Sequence, residues 1–418
     1  MRPSRYRALF ASGVLACAGI AACSPGRPVE VSAEERPGKG ATSTTVVPTS
    51  APPDATATTD TTRPRPATTT SGPATTTTTT GAPACDSTDG PFGPYVFDVH
   101  LSDPAHGLVA GTRTIRSTGD GGATWTAACL PEGITGSIFE LAVRGPRAWA
   151  AGIRDGGAGF ILRSTDGGHV WRPAQLPPEA AYLKDIAFPD DTRGWALGQR
   201  AQTDPRYGPQ YGGGALLLSS SDGGVSWKLA REFHPDTAAG LNRLSFPDPD
   251  HGWAAGQTRT NTPALLATAD GGESWQPQPL PAEVREVHDV AFVDERHGWI
   301  TAALGPVGPD PMDAILATTD GGATWATQWS ASQTPVSTLF FTDAAHGWVV
   351  ANPASGGTVL ATGDGGATWT ATLTPGRALG AISFAGTRDG WVAGEQGAFV
   401  YATSDGGRTW GTRPITSP

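Results

Sequence analysis

The residues best equipped for chemistry in this 418-residue chain recur at one position of an internal repeat. Asp98, Glu140, Asp185 and Asp289 share a column with Arg243, Thr338 and Ala381. The next column reads Val99, Leu141, Ile186, Leu244, Val290, Leu339 and Ile382, apolar throughout, so along a strand the two columns face opposite ways. Four carboxylates around one guanidinium suit a cation or a basic ligand group. Hydrogen bonds within a turn or between neighbouring units account for the same residues equally well. A pair such as Asp185 and Asp289 is also the minimum equipment for glycoside hydrolysis, whose outcome depends on a separation that no sequence gives. A second group lies in the long stretch "QRAQTDPRYGPQYGGG", which carries Arg206, Tyr207 and Tyr211. Neighbouring connections, "REFHPDTAAGLNR" and "PAEVREVHD", add His234, Asp236, Arg285 and His288. Together these form a candidate binding face for a glycan or a protein. A loop without any ligand would have the same composition.

No catalytic residue is assigned. The chain has no glycine-rich phosphate loop, zinc signature or nucleophile triad, so neither a cofactor nor a metal is expected. The chain has four cysteines, and two belong to the N-terminus. Arg2, Arg5 and Arg7 precede a short apolar core that ends in "IAAC", which closely resembles a bacterial lipoprotein cleavage site. Residues 1–22 are therefore expected to be removed, and Cys23 to carry a lipid that holds the protein to the extracytoplasmic side of the membrane. Cys17 leaves with the signal. Cys85 and Cys129 remain in an oxidising compartment, where a disulfide between them is the simplest pairing.

Residues 23–83 are rich in Thr and Pro and poor in large apolar side chains, too poor to fold. As a coil such a segment spans about 40 Å, which makes it a tether. Residues 1–82 hold 8 basic and 5 acidic residues, leaving 21 basic and 34 acidic residues beyond. So acidic a domain is not expected to bind nucleic acid.

Residues 84–418 are dominated by one string, Ser/Thr-x-Asp-x-Gly-x-x-Trp. Its aspartates are Asp120, Asp166, Asp222, Asp270, Asp320, Asp364 and Asp405, each followed five residues later by a tryptophan. Asp accepts from the amides just after it and the glycines supply positive φ, so the string is a hairpin turn. A second signature precedes each copy, as in "LSFPDPDHGWAAG" and "VAFVDERHGWITA". Each unit reads strand, turn, strand, loop, strand, Asp-Gly-Gly turn, strand. A spacing near 40–50 residues is that of a four-stranded propeller blade. The chain is thus expected to be all-β, a seven-bladed propeller whose blades are each completed within their own repeat. Thirteen of the fourteen tryptophans occupy the two repeat positions, which marks them, the seven aspartates, and His106, His251, His297 and His346 as architecture.

These motifs resemble the Asp-box, or bacterial neuraminidase, repeat. The added "HGW" brings the chain closest to the photosystem II assembly-factor propellers. Blade one departs from the pattern with Leu108 in place of Trp, and blade two reads "PRAW". The resemblance implies a fold and leaves function open, since Asp-box propellers include sialidases, xyloglucanases and receptors. The expectation is a monomeric binding scaffold or assembly factor for an envelope or membrane protein. The alternative is a glycan-binding or glycoside-hydrolase propeller, although the Phe-Arg-Ile-Pro type motif of sialidases is missing.

Overall fold

The computed structural model describes residues 95–200, 214–306, 310–394 and 399–415, with the backbone of 202–204 and 208–210. Seven four-stranded antiparallel sheets follow one another, each ordered 1-2-3-4 in sequence. Their inner strands are Val96–Leu101, Ser137–Arg144, Ala180–Ala187, Arg243–Ser245, Val284–Phe292, Val336–Phe341 and Leu379–Ala385. Each inner strand packs beside the next, and the first packs beside the last, so the ring closes around a central channel. Among the described residues no blade borrows a strand from another. Among the described residues, no helix is long and apolar enough to cross a membrane.

The Asp-box turn is built as its residue types require. Thr118 Oγ1 donates to Asp120 Oδ1 (2.7 Å) and accepts from the Gly122 amide (3.0 Å). Asp120 in turn accepts from the Thr124 amide (2.8 Å) and hydroxyl. In every blade the residue after the aspartate then donates its N–H to the turn between strands one and two, as Gly121 does to Ala105 and Gly223 to Thr192. All the repeated turns therefore lie on one face. The histidines of the "HG" turns accept a local task too: His106, His251, His297 and His346 each place Nδ1 against the aspartate three residues earlier.

The apolar core is divided into seven clusters, one at each seam between blades. At five seams the tryptophan at the "HGW" position, Trp149 and Trp195 included, stacks on a phenylalanine at or next to the end of the next blade's inner strand. Trp253 and Phe292, for example, lie 3.6 Å apart at 3°. The same phenylalanine meets its own blade's Asp-box tryptophan edge-on, as Phe292 meets Trp325 at 85°. The glycine of "HGW" makes room for that ring: a Cβ at Gly298 would lie 2.3 Å from Phe292. Blade one breaks the pattern without opening the seam, because Leu108 fills the space against Gly168 and Trp391 packs on Trp125.

Candidate functional site

The column of carboxylates lines the channel, and three of its members join blade to blade. Asp98 accepts from its neighbour Val99 (2.8 Å) and from the Leu141 amide of blade two (2.8 Å). Asp185 accepts from Leu244 of blade four (2.8 Å). Asp289 accepts from Val290 (2.9 Å) and from Leu339 of blade six (3.0 Å). Thr338 continues the series by donating to the Gly380 carbonyl (2.8 Å). Arg243 lies 3.3 Å from Asp289. Glu140 differs: among the described residues its carboxyl accepts no hydrogen bond, although it feels Asp98, Asp185, Arg243 and Asp289.

Burial sets the electrostatics. It pushes the Asp98 and Asp185 carboxyls up to about 7, against the backbone amides and Arg243 that favour their charge. Glu140 too is raised well above its usual range, by burial first and then by the neighbouring carboxylates. His100, two residues along from Asp98, is held down to about 4 by burial and is neutral at pH 7. Burial, together with repulsion from Arg243, brings Lys184 down to about 8. Among the described residues no cluster of His, Cys, Asp and Glu is arranged to hold a metal ion.

One position nearer the mouth, the ring stops repeating. Six of the seven inner strands carry a bulge or irregularity at this level. The extra residue of such a bulge is freed from ladder pairing and re-aimed. In blades one and two that residue is Phe97 or Phe139, half-buried in both cases. With Tyr95 and Tyr182 these rings form a continuous arc: Tyr95–Phe97 at 6.4 Å, Phe97–Phe139 at 5.7 Å and Phe139–Tyr182 at 5.6 Å. Tyr182 is held at a φ of 46°, rare for a non-glycine residue, and Lys184 Nζ lies 5.1 Å from the centre of its ring. Blades four and five continue this level with Asn242, beside Arg243 of the carboxylate column, and His288, and blades six and seven offer Ser337 and Gly380.

Of the sequence-selected face, Arg206, Tyr207 and Tyr211 lie outside the described residues, as do Cys23 and Cys85. His288 and Arg243 come to the channel rim, with His288 Nε2 3.6 Å from Asp313. Arg285 lies beside Glu286, 3.8 Å away. His234 and Asp236 stand apart from that rim. His234 caps the short helix Pro235–Ala238 by accepting from the Asp236 amide (3.3 Å), and Asp236 pairs with Arg259 (2.8 Å). The aromatic arc is less legible in the sequence than the charged column. The column just before it, with Phe97, Phe139, Lys184 and His288, held the signal.

Fold and site together define a seven-bladed Asp-box propeller with a structurally committed turn face and a non-repeating channel mouth. Residues 272–372 and 326–417, about a third of the chain, match the family described as "Photosynthesis system II assembly factor YCF48", so this part of the propeller is similar to that family. The chain is 30% identical over 141 residues to a photosystem II assembly lipoprotein Ycf48 of Synechococcus sp. (strain CC9902), covering 32% of this chain and 36% of that one. A photosystem II assembly protein Ycf48 of Synechococcus sp. (strain JA-2-3B'a(2-13)) is 28% identical over 192 residues, 38% of this chain and 56% of that one. The chain thus spans about a third to a half of the curated relatives it matches. The solved structure of YCF48 bound to a D1 peptide superposes with a TM-score of 0.55 at 17% identity, over 75% of this chain and 93% of that one.

Proposed function

We propose that this protein is a non-enzymatic binding scaffold of the assembly-factor kind. It works outside the cytoplasm as a monomer, held to the membrane by a lipid on Cys23 and a tether of residues 23–83. Its propeller, residues 84–418, presents the channel mouth to a segment of a membrane or envelope protein. The observation that carries this reading is the asymmetry of that mouth. In a ring whose turns, seams and tryptophans repeat, the rim alone passes from aromatic to charged to small. Repeated residues are spent on the fold, so the residues that differ are the ones free to recognise a partner. The relatives named as photosystem II assembly proteins, and the related propeller bound to a peptide, point the same way. A photosystem as the partner does not follow from these likenesses.

Glycoside hydrolysis fits the column poorly, because Asp98, Asp185 and Asp289 each give oxygens to backbone amides that hold neighbouring blades. The test is capture of partners from detergent-solubilised envelope by the full-length chain and by a Phe139→Ala/Tyr182→Ala variant. A membrane protein retained by the first and lost by the second supports the scaffold. Equal capture by both, or none by either, overturns it at this site.

A further inference from the structure

The aromatic arc and Glu140 occur together, and their chemistry is complementary to one kind of group. Phe97, Phe139 and Tyr182 are half-buried, and their rings run in contact from one to the next. Glu140 follows Phe139 directly and has no hydrogen-bond partner among the described residues, whereas the neighbouring carboxylates are fixed by amides. Around it stand Asp98, Asp185 and Asp289, answered by Arg243, which is paired with Asp289, and by Lys184 above Tyr182. Four carboxyls therefore share two cations, and burial opposes their ionisation in the free protein. A further positive group beside Glu140 would favour its ionised form, and aromatic rings attract such a group through their quadrupoles while covering its apolar stem. Lys184 already uses the outer end of the arc in this way, at 5.1 Å from the Tyr182 ring.

We propose that the channel mouth over blades one to three seats a lysine or arginine side chain of the partner polypeptide, stacked on Phe97, Phe139 and Tyr182 with Glu140 as its counter-ion. This rests on the scaffold reading and names the chemistry of the partner segment. The bulges explain why the site lies here: they turn two phenylalanines out of the ladder at the level where the carboxylates begin.

The experiment titrates the full-length chain with the blocked peptide N-acetyl-Ala-Ala-Arg-Ala-Ala-amide and with its uncharged citrulline twin, by calorimetry. The arginine peptide is expected to bind about tenfold more tightly than the twin, and about tenfold more weakly to Glu140→Gln and to Phe139→Ala. Val225→Ala, on the opposite face, should bind as the parent does. Glu140→Gln nearly preserves volume, so it stands as the decisive variant if Phe139→Ala unfolds. Equal affinity for both peptides, no binding at millimolar peptide, or undiminished binding to Glu140→Gln would each overturn the site. Partner capture that survives Glu140→Gln would leave the scaffold standing without this site. Arginine-peptide binding without any captured partner would do the reverse.

Discussion

Trp149 donates its indole Nε1 to the carbonyl of Gly223, 2.9 Å away across the seam between blades two and three. The same bond joins Trp195 to Gly271 (3.0 Å), Trp253 to Gly321 (3.1 Å) and Trp348 to Gly406 (3.1 Å). The "HGW" and Asp-box motifs are thus two halves of one joint, each half supplied by a different blade. With no strand shared between blades among the described residues, these joints and the stacked rings beside them hold the ring together.

Trp195→Phe keeps a ring against Phe246 but removes the bond to Gly271, so it should cost about 1–3 kcal/mol. Trp299→Phe should cost less, because the Trp299 Nε1 is buried without a partner and no bond is lost. Urea unfolding of the two variants checks the order, and a larger loss for Trp299→Phe would contradict it.

The missing bond at blade five has a visible cause. Gln328 Nε2 donates to the Gly365 carbonyl at 2.7 Å, in the place where the repeat would put Trp299, and its own Oε1 is left unpaired. Removing the amide should return Gly365 to the indole. In a double-mutant cycle, Trp299→Phe is expected to be nearly silent in the parent and to cost about 1 kcal/mol more in a Gln328→Ala background. Additive effects would show that the two side chains do not compete.

Fold and site were unequally legible in the sequence. The Asp-box and "HGW" strings announce seven units because each residue in them answers a local demand: a hydroxyl for Asp120, room beneath a ring at Gly298, a stacking partner at Trp253. The mouth depends on displacements that leave no such string. Phe97 and Phe139 look like ordinary strand residues until a bulge re-aims them, and the left-handed φ of Tyr182 has no composition cue. That three column carboxylates serve the next blade's amides, while Glu140 does not, depends on the angle between blades.

Cys129 is disulfide-bonded, and its own backbone is part of the first seam. Its N–H donates to His169 (2.7 Å) and its carbonyl accepts from Trp171 (2.9 Å), both in blade two. With Cys85 as partner, the bond would tie the start of the propeller to the junction of blades one and two. Peptide mapping without reductant should recover a Cys85–Cys129 cross-link, and reduction should lower stability by about 2–4 kcal/mol. Both thiols free in the purified protein would refute the pairing.

The two sets of aspartates pull the pH dependence of stability in opposite directions. Burial raises Asp98 and Asp185 to about 7, above the 3.8 of an ordinary side chain. A raised carboxyl binds its proton more tightly when folded, so its contribution is complete below about pH 4 and is lost as pH climbs through about 7. Asp120, Asp270, Asp320, Asp364 and Asp405 are lowered to about 2, chiefly by the hydroxyl of the Ser or Thr four residues on. Their contribution is present above about pH 4 and is lost as pH falls through about 2. From these two sets stability should therefore peak at about pH 4, with the urea midpoint falling on either side. Asp98→Asn should flatten the alkaline limb and leave the acid limb in place, while Asp320→Asn should weaken only the acid one. A midpoint that rises steadily from about pH 5 to 8 would mean that the channel carboxylates are ionised throughout, held by Arg243 more strongly than burial opposes them.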